Sequence, residues 1–528
     1  MLARHSPTWV RRAWIVPVIF FATFLIYPLF VLARTAWTAD TLVSLTSSST
    51  WTVALIASAQ SVLSVGLSLA IGLPIAGVLS RYQFPGRSFL WALVTVPFVL
   101  PTVVVALGFQ ALLGGLFEPG LILVVLAHAY INIAVVVRIV GAQWSAINPH
   151  QMVVARTLGS TPWRVFRTIT IPNLTPSILA SACVVFVFSF TSLGIVTILG
   201  DGSTTRTLEQ VILRQSSVLL DFPGALASAI LQLIVVSSAL FIAARSRGTA
   251  LTLRTGNSTR THYLIRITSK KNGLWVFTIA SLAGVFVVAP IASIVWASLS
   301  GRDGFTLAWW ISLQDSSDAF SRLGSPLHAL GLSFMLAIFT ALTAAFVGGA
   351  IAIAVMGRNP FIAFLSLIPL GLSAATVGLG TLLAFGRAPI DLRASGVLIP
   401  IAHALVAVPL VVALAAPVLR AADPRRMFVA SSLGASPNRA WWTAYGNVIR
   451  MVMLAAGGLA GAVSLGEFGA ATFLARPDSP TVPIQISKLL TRPGEQAYAT
   501  AAVLSVTLII ATLTLMLIVD RMNSKVRL

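Results

Sequence analysis

Apolar stretches long enough to cross a bilayer recur along the whole chain, and that recurrence restricts the fold more than any other feature. A helix needs about 20 such residues to span the hydrocarbon layer. Twelve runs approach or exceed that length, at residues 14–36, 51–79, 88–112, 121–140, 177–199 and 223–243, then 275–299, 328–356, 361–385, 396–419, 451–474 and 499–519. Lipid offers no water to backbone N–H and C=O groups, so each run is expected to be a helix. With 57% hydrophobic and 9% charged residues, against about 25% charged in a soluble domain, the chain cannot solvate a soluble surface of this size. The expected fold is therefore an all-α membrane protein of twelve transmembrane helices. The first run is too long for a signal-peptide core and has no small-residue cleavage site after it, so it reads as a retained span.

The net charge of +21 is read as topology rather than as affinity for nucleic acid. Lys and Arg concentrate before the first span, in alternate loops and after the last span, whereas most acids fall in the other loops. The positive-inside bias places both termini in the cytoplasm, with anionic membrane lipid as the natural neighbour of the basic residues. Cys183 is the sole cysteine, which rules out an internal disulfide and a cysteine metal cluster.

An internal repeat sets the architecture. Ala127-His128-Ala129 returns as Ala402-His403-Ala404, Thr157-Leu158-Gly159 as Ser432-Leu433-Gly434, and Gly194 with Leu199 as Gly469 with Leu474. Pro97, Leu107 and Gly108 return as Pro369, Leu379 and Gly380 at a slightly shorter offset. Each copy holds six spans, an even number, so the two six-helix repeats are parallel and related by an axis along the membrane normal. The first module covers residues 1–243, a basic linker rich in Gly, Ser and Thr covers 244–272, and the second module covers 273–528.

The segment between the fourth and fifth spans of each copy carries the functional signal. In the first, Ala155 precedes the bend residue Gly159, Pro162 suits the first turn of a new helix, and Ile169-Thr170-Ile171-Pro172 leads to the next span. Two short helices joined by a glycine are expected, with Trp163 and Phe166 set among Arg156, Arg164 and Arg167, an amphipathic elbow suited to a groove on a cytoplasmic partner. The second copy retains Ala430, Gly434 and Pro437 but has Ala444, Gly446 and Asn447 where Ile, Ile and Pro stand in the first, so it reads as the weaker elbow and coupling as asymmetric.

An alanine, a glycine four positions later, then nine residues and Ile-x-Ile-Pro resembles the coupling motif of type I ATP-binding-cassette importer permeases. That motif begins with Glu in the family, where this chain has Val153. The resemblance extends over both modules. The string Ser464-Leu465-Gly466-Glu467-Phe468-Gly469-Ala470, with Pro477, Thr481 and Pro483 after it, is similar to the fused permeases of the ferric-iron and thiamine branch, and also to sulfate and molybdate permeases. The resemblance implies two copies of an ATPase subunit on the elbows, ATP and magnesium held by those subunits, and an extracytoplasmic solute-binding protein. The solute it implies is ferric iron or thiamine, with sulfate, molybdate or polyamine as alternatives.

Inside the spans, charged side chains are costly and are functional candidates. Glu467, His128 and His403 are the candidates for lining a translocation path, Glu467 alternatively bonding to helix ends and the two histidines facing each other across the axis. Gly108 and Gly380 are candidates for packing or gating. The chain has no G-x-x-x-x-G-K-[ST] motif, no catalytic carboxylate pair and no metal-ligand cluster, so it is expected to be a transport subunit that cannot hydrolyse ATP alone. A twelve-span secondary transporter is the rival reading, and it gives no reason for a duplicated glycine elbow.

Overall fold

The computed structural model describes residues 7–245, 264–267, 270–302, 304–314, 325–356, 360–366, 368–387, 390–392 and 395–526. Linker residues 246–263, with Arg247, Arg254 and Arg260, lie outside the described residues. In chain order the helices are α1 (Thr8–Ala36), α2 (Ser48–Arg81), α3 (Arg87–Val99), α4 (Thr102–Leu113), α5 (Leu121–Ala146), α6 (Pro149–Thr157), α7 (Pro162–Phe190), α8 (Gly194–Leu199), α9 (Leu208–Ser217) and α10 (Phe222–Arg245). The second half continues with α11 (Lys270–Leu299), α12 (Pro326–Met356), α13 (Ala374–Phe385), α14 (Leu398–Ala421), α15 (Arg425–Ser432), α16 (Pro437–Gly466), α17 (Gly469–Leu474), α18 (Val482–Leu490) and α19 (Glu495–Val526). Strands among the described residues are confined to three two-residue pairs, one of which joins Tyr82–Gln83 to Ile265–Arg266.

Among the described residues ten helices have the length and hydropathy to cross a membrane, and the bent pair α3–α4 passes the same test when its two helices are taken together. The straight third and ninth spans expected from sequence are corrected. The third bends by 106° between Val99 and Thr102, where Pro101 sits in an extended conformation at the N-cap of α4 and its missing N–H and fixed φ forbid a continuous helix. The ninth is in pieces, Pro360–Leu365, Ile368–Gly371 and α13, with Ser373 capping α13 by accepting a hydrogen bond from the Thr376 amide at 3.0 Å. The fifth and eleventh spans also differ from expectation: each ends early, at Phe190 and Gly466, and resumes as the short helices α8 and α17.

The first helix of each half packs on the opposite half. Phe20, Phe21 and Leu25 of α1 share a core with Val347, Val377, Val408 and Val411. Reciprocally, Ala283, Val287 and Ile294 of α11 join Val103, Leu107 and Tyr130. Tyr130 donates to the Val287 carbonyl at 2.9 Å, and the Ser293 hydroxyl donates to the Gly108 carbonyl at 3.0 Å.

The repeated glycines sit at these two crossings. A Cβ on Gly108 would lie 2.9 Å from the Pro290 carbonyl oxygen, and one on Gly380 would lie 3.2 Å from that of Pro28. Small residues let membrane helices approach this closely. Gly108→Leu and Gly380→Leu should each destabilise the protein by about 1–3 kcal/mol through overpacking, whereas Gly284→Leu, with no atom within 4 Å of its Cβ position, should change little. Thermal unfolding in detergent compares the three.

Candidate coupling elbows and a buried polar cluster

Both elbows end their first helix in the same way. After α6, the Gly159 amide donates to Arg156 O and the Ser160 amide to Ala155 O, each at 3.0 Å, the paired bonds that close a helix on a left-handed residue. After α15, Gly434 donates to Ser431 O and Ala435 to Ala430 O, again at 3.0 Å. The φ angles are +82° at Gly159 and +83° at Gly434, a region that costs a residue with a side chain about 1–2 kcal/mol. Pro162 and Pro437 then open α7 and α16 in their first turns.

This geometry corrects two expectations. The helix after each glycine is not short but runs on into the fifth or eleventh span. The second elbow is not a degraded one either, because the Ile-x-Ile-Pro ending shapes that following helix and leaves the bend alone. Pro172 cannot donate to Thr168, and its ring crowds that carbonyl, so Phe166–Thr170 widens into a π turn that absorbs the misfit. Ile169 lies in this turn, while Ile171 and Pro172 open the regular helix after it. Where Asn447 replaces the proline, α16 stays regular throughout.

Each elbow presents a matched apolar face. Leu158 is 81% exposed and Leu433 is 82% exposed, immediately before the glycine. Val153 and Val154 lie exposed one turn earlier in the first elbow, as Phe428 and Val429 do in the second. Trp163 is exposed beside Phe166, and Trp442 beside Trp441. The flanking basic groups Arg156, Arg164, Arg425 and Arg439 are exposed as well.

The intramembrane candidates lie apart from the elbows. Glu467 occupies the break between α16 and α17, where Oε1 accepts from the Ala470 amide at 2.9 Å and Oε2 from the Ala471 amide at 3.1 Å. Its Oε2 also lies 3.0 Å from His403 Nε2, while His403 Nδ1 is 2.8 Å from the Ser464 hydroxyl, which in turn donates to Thr340 Oγ1. His128 Nδ1 is 3.3 Å from Ser64 Oγ. Each histidine is bonded within its own half, His128 to Ser64 and His403 to Ser464, and His403 Nε2 also lies against the Glu467 carboxylate.

Sequence reading missed Glu209. It lies on α9, in a connection between spans, yet it is buried with Leu208, Ile212 and Ser216. Burial pushes its carboxyl up to about 8, the nearby Glu467 adds to that shift, and hydrogen bonds from Ser373 and Gln232 oppose it. The only sequence signal was the capping box of Thr207 and Gln210 that starts an amphipathic helix there. An acid in a first helical turn is ordinary on electrostatic grounds, so nothing marked it as buried.

Comparison with known proteins agrees with this geometry. Residues 68–249, which include the first elbow, match the family described as binding-protein-dependent transport system inner membrane component. The thiamine transport system permease protein of Brucella abortus is 27% identical over 506 residues, covering 89% of this chain and 87% of that protein. The sulfate transport system permease protein of Escherichia coli is 32% identical over 184 residues, 32% of this chain and 66% of that protein. The molybdate/tungstate permease of Thermococcus kodakarensis is 30% identical over 132 residues, 25% of this chain and 53% of that protein. The chain thus spans about two thirds or less of these last two relatives. A helical membrane fold with the elbow in both halves, a family match over the first and a full-length relative covering both make this chain a member of the ATP-binding-cassette importer permeases, with two modules fused in one polypeptide.

Proposed function

We propose that the chain forms the translocation path of an ATP-driven importer, with one ATPase subunit docked on each elbow and an extracytoplasmic binding protein delivering solute to the opposite face. The observation that carries this reading is the duplicated elbow, with the same backbone bonds, the same positive φ and the same exposed leucine on both copies. Exposed apolar side chains rimmed by arginine form a patch suited to a groove on a soluble partner. Magnesium and ATP belong to that partner, and the elbows face the cytoplasm with both termini.

Thiamine is the proposed solute, because the relative covering most of the chain is named for it. Ferric iron is the alternative, with sulfate and molybdate behind, and uptake of each by the chain assembled with its ATPase and binding protein separates them. For the elbow itself, Gly159→Pro removes the amide bonded to Arg156 O and imposes a φ near −65° where +82° is needed. ATP hydrolysis should continue while uptake falls at least tenfold; unchanged uptake would count against the elbow as the transmission point.

A further inference from the structure

Two buried carboxylates from opposite halves flank the first turn of one helix. Glu209 on α9 belongs to the first half and accepts a hydrogen bond from Ser373, the N-cap of α13 in the second. Glu467 approaches the same turn from the other side: a Cβ added at the adjacent Gly469 would meet Ala374 Cβ, Glu467 Oε1 and the Ala375 amide, all at 3.0–3.5 Å. Around them the halves share an apolar core in which Ile212, Ala225 and Leu226 pack with Ala375, Leu379, Ala470 and Phe473. Glu209 and Glu467 are 2% and 8% exposed, so the charge on the carboxylates must be balanced locally.

The balancing groups are few. His403 lies against Glu467, and Gln232 Nε2 is 3.5 Å from Glu209 Oε1. Among the described residues no Lys or Arg pairs with either acid. On α9 itself Arg214 points to the exterior, as do Asp201 and Arg206 in the preceding loop, and Asp221 lies at the joint's rim. Helix α13 has no titratable residue, and α2 and α10 carry theirs, Arg81 and Arg245, at their far ends. One histidine cannot neutralise two carboxylates.

We infer that the joint between the halves is a proton-linked latch, in which Glu209 is protonated while the halves are together and gives up that proton to water when they part. Its elevated affinity for a proton has a physical origin in the same burial and in the neighbouring Glu467. The sign follows from linkage. The joined state holds more protons than the parted state between the ordinary carboxylate value of 4.5 and about 8, so rising pH in that window favours parting by up to tenfold per pH unit.

The test uses the full chain in nanodiscs, with Cys183→Ser and nitroxides on Leu219→Cys and Val397→Cys, two exposed positions beside the joint in opposite halves. Distance distributions between pH 5 and pH 9 should shift from a single short population to a longer one. Glu209→Gln, which keeps the shape and removes the charge, should hold the short population at both extremes, and Glu209→Ala should also lose the pH dependence even if it widens both distributions. Distributions that do not change with pH, or a folded Glu209→Gln protein that still responds as the parent does, would overturn the latch.

Discussion

Replacing Glu467 with alanine is expected to destabilise the protein by about 2–6 kcal/mol, because the buried backbone donors that bond its carboxylate are left unsatisfied. Three groups lose their acceptor at once: the amides of Ala470 and Ala471 and the Nε2 of His403. An unsatisfied buried donor carries the full penalty of its lost hydration, and Glu467 is only 8% exposed. Glu467→Gln should fall between the two, since one amide oxygen can still cap α17 while its NH2 faces a donor. Unfolding midpoints in detergent measure the effect. A Glu467→Ala protein as stable as the parent that nevertheless fails to transport would instead mark the residue as a solute contact.

The second large effect concerns docking. Leu158→Asp and Leu433→Asp each put a charge at the most exposed apolar point of an elbow, where nothing in the chain itself depends on the side chain. Burying a leucine side chain contributes about 1.5–3 kcal/mol, about tenfold or more in affinity, and a buried unpaired carboxylate costs further. Each variant should therefore retain one bound ATPase copy, and the double variant none, with the folded spans unaffected. Native mass measurement of the complex counts the copies. Because the two bends share their bonds and dihedral angles, the two single variants should be equally damaging.

That equality differs from what the sequence suggests. Judged by its letters, the second elbow lacks Ile-x-Ile-Pro, but those letters govern a π turn in the following helix and leave the exposed face as it is. The duplication itself was legible because Gly159 and Gly434 need a positive φ that glycine adopts without strain, which keeps the spacing readable. Ten of the twelve expected spans were legible for a similar reason, since lipid demands length and hydropathy. Their breaks were less so: Pro101 announces one, while the equivalent position in the other half is Ser373, an N-cap residue that carries no ring to stop a helix and so is a weaker signal than proline.

Which helices would touch lay beyond a linear reading. Small residues at Gly108 and Gly380 signal close approach, yet nothing in the letters says that the neighbours are Pro290 and Pro28 of the opposite halves. Glu209 was hidden for a related reason, since it is buried between Gln232 of its own half and Ser373 of the other, a pairing that only the tertiary fold creates. His128 and His403 occupy repeated positions, but their partners, Ser64 in one half and Glu467 with Ser464 in the other, have diverged.

On the proposed function, this permease moves solute only when ATPase subunits act through both elbows. Radiolabelled thiamine uptake into proteoliposomes tests it, with the chain reconstituted alone and with its ATPase and binding protein, under an imposed ion gradient and with ATP inside or outside. Uptake should occur only with all components present and ATP on the elbow side. Accumulation by the chain alone, driven by the ion gradient, would contradict it.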